Sequence, residues 1–115
     1  MNEAFNEDGS MRESVFYKLL GKNYIEKAFE LTHNADPNVD LIYNDYNFYK
    51  QEKRAGILNM VKKFKSSGVK IDGVGVQAHW DLASPRLDQI EQIILDVHAA
   101  GVPVSFTELD ISVLP

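Results

Sequence analysis

Residues 69–80 read Val69-Lys70-Ile71-Asp72-Gly73-Val74-Gly75-Val76-Gln77-Ala78-His79-Trp80, and the fold turns on them. The run from Val69 to Val76 is short and nearly all apolar, the pattern of a strand covered on both faces, and it ends in polar side chains. On its N-terminal side a helix is predicted from about Tyr49 to Ser67, with Ile57, Leu58, Val61 and Phe64 as its apolar stripe. Lys62, Lys63 and Lys65 are a solvated cationic end, and Gly68 is the stop. On the C-terminal side Ser84-Pro85 reads as a helix start, Ser as N-cap and Pro at the first helical position. Leu87, Ile90, Ile93, Ile94 and Val97 then keep helical spacing, Gly101 stops the helix, and Val102 to Phe106 is the next strand.

The same alternation extends back towards the N-terminus. A helical stretch lies within Ser14 to Asn34, divided at Gly21 and ended by the turn signal Asp36-Pro37-Asn38. Val39 to Tyr43 is a short apolar run that leads into Asn44-Asp45-Tyr46-Asn47. Helix followed by strand, three times over, predicts parallel βαβ units in a single α/β unit. Each strand ends in polar side chains at i and i+2: Asn44 and Tyr46, Gln77 and His79, Glu108 and Asp110. Side chains two apart on a strand share a face, so one rim receives them all. A (β/α)8 barrel builds its active site this way, and so does the crevice of a doubly wound sheet. No Gly-rich phosphate loop stands at any strand–helix junction, which weakens nucleotide binding and favours the barrel.

Composition narrows the function. With 17 Asp+Glu against 12 Lys+Arg the formal charge is −5, which disfavours nucleic acid and anionic membrane surfaces as partners. The absence of cysteine removes disulfides, thiolate nucleophiles and Cys-based metal sites. Met1-Asn2-Glu3-Ala4 has neither the basic start nor the apolar stretch of a signal peptide.

At the strand ends the chain resembles glycoside hydrolase family 10, the endo-1,4-β-xylanases. The resemblance is carried by Asn2-Glu3-Ala4, Tyr43-Asn44-Asp45-Tyr46-Asn47, Gly73-Val74-Gly75-Val76-Gln77-Ala78-His79 and Thr107-Glu108-Leu109-Asp110-Ile111, in that order. It implies retaining hydrolysis of internal β-1,4 bonds of xylan or a xylo-oligosaccharide by two carboxylates flanking the scissile bond. By this resemblance Glu3 is the general acid/base and Glu108 the nucleophile. His79 would hydrogen-bond Glu108 and be oriented by Asp110. Asn2 would reach the sugar hydroxyl beside the reacting carbon, Gln77 and Asn44 would line the cleft, and Tyr46 and Trp80 would offer flat faces to sugar rings. The family uses no catalytic metal or organic cofactor, and no residues here have the spacing of metal ligands.

The resemblance implies a fragment of a (β/α)8 TIM barrel, from the end of strand 4 through strand 7, that is, a partial catalytic domain over residues 1–115. Such a barrel exceeds ~250 residues, so three βα units and most of strand 4 are expected before Met1 and an eighth unit after Pro115. Met1 is then an internal position or a substituted start, and the family expectation is a secreted or periplasmic protein. A barrel cut this way has open edges, so the 115 residues alone are expected to be marginally folded, prone to associate and inactive on xylan. Two other functions fit the residues: a barrel glycosidase acting on another β-1,4-glycan, and a non-catalytic carbohydrate-binding barrel. Singly, Glu3 reads as a solvated carboxylate, Glu108 as half of a buried ion pair, His79 as a core histidine and Trp80 as packing behind its loop.

Overall fold

The computed structural model describes residues 1–114; Pro115, after which the eighth unit is expected, lies outside them. The order of elements is α1 (Val15–Leu20), α2 (Tyr24–Ala35), β1 (Ile42–Asp45), α3 (Gln51–Ser67), β2 (Gly73–Val76), β3 (His79–Asp81), α4 (Leu87–Ala99), β4 (Val104–Phe106) and β5 (Asp110–Ser112). Ser14 caps α1 by accepting the Tyr17 amide, and Gly21 divides α1 from α2 as the sequence predicts. Gly68, in the left-handed conformation, closes α3.

β1, β2 and β4 form one parallel sheet in chain order, Ile42 facing Gly73 and Val74 facing Val104. Asn2 adds a parallel bridge to Asn44 on the far side of β1. Each strand therefore lies beside its predecessor with a helix between them, and the order never reverses as it would in a doubly wound sheet. The core lies between sheet and helices. Tyr43, Val74 and Val76 meet Ile57, Val61, Ile93 and Val97, all essentially inaccessible to solvent. Phe29 and Phe64 pack edge to face across α2 and α3.

The structure departs from the sequence reading in several places. The strand expected from Val69 pairs only from Gly73; Val69 and Ile71 are buried on the approach to it, where the Asp72 amide donates to the Leu41 carbonyl and the Asp72 carboxylate accepts the Leu41 amide. Ser84-Pro85 does not start a helix. The Asp81 carboxylate accepts the amides of Ala83 and Ser84 and the Ser84 carbonyl accepts the Asp81 amide, so this stretch closes a turn. Arg86 becomes the N-cap, its amide held by Gln89 Oε1. Of the α4 stripe only Ile93 and Val97, one turn apart, are fully buried, and Leu87 is exposed. β4 is not buried on both faces: Val104 is half-buried and Ser105 and Phe106 are exposed, and among the described residues only β2 pairs with it.

A second small ladder was not foreseen. β3 pairs in parallel with β5, His79 facing Asp110, just beyond the ends of β2 and β4. Ala78 separates β2 from β3 with φ of 64°, a left-handed conformation that turns the chain while keeping it over the sheet.

Candidate active site

Three strand ends and the N-terminal bridge deliver their side chains to one place. Glu3 also has a left-handed backbone, φ 53°, and its amide donates to the Asn44 carbonyl at 2.9 Å. The carboxylate is thus stitched to the end of β1. Glu108 is held from the other side, its amide donating to the Gln77 carbonyl at 3.1 Å.

Amide side chains connect the two carboxylates. Gln77 Nε2 donates to Glu3 Oε1 at 2.9 Å and to Asn2 Oδ1 at 3.2 Å. Asn44 Nδ2 donates to the same Asn2 oxygen at 2.9 Å and to Glu108 Oε1 at 2.8 Å. Asn2 closes the set by donating from Nδ2 to Glu3 Oε1 at 3.2 Å. The Asn44 amide is oriented by Thr107, whose hydroxyl donates to Asn44 Oδ1 at 2.6 Å. Gly75 makes room: a Cβ there would lie 2.4 Å from Asn44 Oδ1 and 2.9 Å from Thr107 Cγ2.

The remaining oxygens meet His79 and Arg12. Glu108 Oε2 is 3.1 Å from His79 Nε2, and His79 Nδ1 is 2.8 Å from Asp110 Oδ2. Hydrogen bonds to Asp110 first and Glu108 second raise the imidazole pKa above its ordinary value. Glu3 Oε2 faces Arg12 Nη1 at 3.9 Å. With every side-chain oxygen of Glu3 and Glu108 engaged, both side chains are held in defined orientations.

The two aromatic residues differ. Tyr46 accepts a hydrogen bond from Arg12 Nη2 at 2.8 Å, and Lys53 Nζ lies 3.6 Å from its ring centroid, so one ring face is already taken. Trp80 packs edge to face on Phe106 and lines an open groove of about 790 Å3 with His79, Leu82 and Asp110.

All nine site residues expected from the sequence (Asn2, Glu3, Asn44, Tyr46, Gln77, His79, Trp80, Glu108 and Asp110) therefore lie at one end of the sheet. His79 is no core histidine: its side chain is 46% exposed and bonded on both nitrogens. The sequence reading missed Arg12, Lys53 and Thr107. Thr107 stands within a motif that carried the resemblance, whereas Arg12 and Lys53 lie outside every motif. Among the described residues no group of three or more His, Asp or Glu side chains converges as a metal would require, and no helix is long and apolar enough to cross a membrane.

The model for glycosyl hydrolase family 10 matches residues 1–115, and the chain belongs to that family. Endo-1,4-beta-xylanase A of Xylanibacter ruminicola is 43% identical over 115 residues, all of this chain and 31% of the relative. A GH10 endoxylanase retrieved from sugarcane soil metagenome superposes with a TM-score of 0.95 at 47% identity, over 99% of this chain and 34% of that one. An intracellular xylanase of Thermoanaerobacterium saccharolyticum, solved as mutants with xylotriose and with xylotetraose, gives a TM-score of 0.91 at 38% identity over 96% of this chain and 34% of its own. The chain spans about a third of the length of the relatives it matches. Its fold is a segment of their (β/α)8 TIM barrel.

Proposed function

We propose that these residues are part of the catalytic domain of an endo-1,4-β-xylanase that cleaves internal bonds of xylan with retention. The observation that carries the reading is the chain of hydrogen bonds from Glu3 through Gln77, Asn2 and Asn44 to Glu108. It joins two carboxylates from opposite ends of the sequence in one network, and retaining hydrolysis works through such a pair. The relatives' activities and the xylotriose and xylotetraose complexes support xylo-oligosaccharide as the ligand class.

Each residue has a task in this mechanism. Glu108 Oε attacks the anomeric carbon while the bond to the leaving oxygen breaks, and Glu3 gives that oxygen its proton. Glu3, now a carboxylate, takes a proton from water; the water oxygen bonds to the anomeric carbon and Glu108 departs. Asn44 and His79 bond the Glu108 oxygens, and Asp110 supports the imidazole from behind. Gln77 and Asn2 hold Glu3, and Trp80 lines the groove beside the reacting centre.

The test is made in the intact protein. Glu108→Ala is expected to lose hydrolysis of xylan, and azide with an aryl xylobioside should then give the α-glycosyl azide. Glu3→Ala with azide should give the β-glycosyl azide. Unchanged hydrolysis by Glu108→Ala would overturn the enzymatic assignment. Preference for aryl cellobioside over aryl xylobioside would move the substrate to another β-1,4-glycan.

A further inference from the structure

A buried cation on α3 lies beneath the site. Both Lys53 and Asp45 are wholly inaccessible, with Lys53 Nζ 2.8 Å from Asp45 Oδ1. Burying two charges is costly, and an apolar side chain of similar size usually serves stability as well or better. The ammonium makes no well-aligned hydrogen bond, so its contact with Asp45 is ionic, and the Tyr46 ring is its second neighbour. Packing alone does not call for a charge here.

Two lines of contact run from this ammonium to Glu3. In one, Asp45 Oδ2 accepts the Tyr43 hydroxyl at 2.6 Å, and that hydroxyl accepts the Ala4 amide at 2.8 Å. Ala4 follows Glu3, so this line fixes the backbone just after the left-handed turn that aims the carboxylate. In the other, Lys53 holds the Tyr46 ring, whose hydroxyl accepts from Arg12, and Arg12 faces Glu3 Oε2. One line sets the main chain and the other steadies the cation beside the carboxylate.

We propose that Lys53 is a positioning residue for Glu3, acting through Asp45 and Tyr43 on its backbone and through Tyr46 and Arg12 on its carboxyl group. The proposal rests on the assignment of Glu3 as acid/base. Lys53 touches no substrate; its effect is confined to steps in which Glu3 moves a proton.

That restriction gives the test, made in the intact protein with the fold checked by circular dichroism. Xylotetraose has a poor leaving group that needs a proton, whereas dinitrophenolate leaves from 2,4-dinitrophenyl xylobioside without one. Lys53→Met is expected to lower kcat/KM on xylotetraose about thirtyfold or more, since a misplacement near 1 Å costs about a hundredfold, and on the dinitrophenyl substrate by less than about threefold. Tyr43→Phe removes only the hydroxyl link and keeps the ion pair; it should show the same selectivity and decides the matter if Lys53→Met does not fold. Equal losses on both substrates, or none on either, would overturn the proposal. Glu3→Ala is the control. If it shows no dependence on leaving group, the acid/base assignment itself fails; if it does and the Tyr43 and Lys53 variants do not, only the positioning role fails.

Discussion

Asn44 donates from Nδ2 to Glu108 Oε1 at 2.8 Å although 64 positions separate the two residues. Its own carbonyl oxygen is engaged by the Thr107 hydroxyl, so the amide has one orientation. Asn44→Ala removes a hydrogen bond to a charged group, a loss of about 1.5–3 kcal/mol. In the intact protein kcat/KM on xylotetraose should fall about ten- to a hundredfold. An unchanged value would show that Glu108 is held without it.

The imidazole of His79 gives a pH signature. Its pKa is raised from the ordinary 6.5 by hydrogen bonds to Asp110 and then Glu108. A raised value means that the folded state favours the protonated ring. The stabilisation is complete below 6.5 and is lost as pH rises through the elevated folded value. Asp110→Asn removes the larger contribution, so NMR titration should place the His79 midpoint lower in that variant than in the parent.

Gly75 has no room for a side chain beside Asn44 and Thr107. Gly75→Ala should part that pair, destabilising the intact protein by about 1–3 kcal/mol in urea unfolding. Activity should fall with it. A fully active, equally stable variant would mean that the strand shifts freely.

Removing one partner of the Asp45–Lys53 pair leaves the other charge buried alone. Asp45→Ala should cost about 3–5 kcal/mol of stability. The double variant Asp45→Asn, Lys53→Met should recover much of that in the same unfolding measurement, because no orphaned charge remains.

The 115 residues studied by themselves should associate. β4 pairs on one edge only among the described residues, and Leu109, Ile111 and Val113 beside it are more than half exposed, as are Phe16, Leu19 and Leu20 on α1. Sedimentation should show oligomers, with no sugar released from xylan. A monomer that unfolds cooperatively and hydrolyses xylan would contradict this.

The alternation of helix and strand was legible because β2 is an apolar run and α3 carries a clear stripe, both local patterns. The end of the sheet that bears the site was legible from the polar residues that follow each apolar run, although the pairs are not on single strands: Tyr46 follows β1, and Gln77 and Glu108 precede β3 and β5. The β3–β5 ladder was not, since it depends on Ala78 adopting a conformation that alanine seldom takes. Ser84-Pro85 misled because Asp81, three residues earlier, takes the amides first. Lys53 hid for a different reason. A lysine near the start of a helix reads as solvated, and nothing local says that Asp45 lies opposite it in the folded chain.

The links between Glu3 and Glu108 are primary amides, Gln77, Asn2 and Asn44. Such groups neither gain nor lose a proton in the working range of a protein. In the proposed mechanism these struts keep their length and polarity while each acid they join changes charge in turn, so one gauge serves both of its halves.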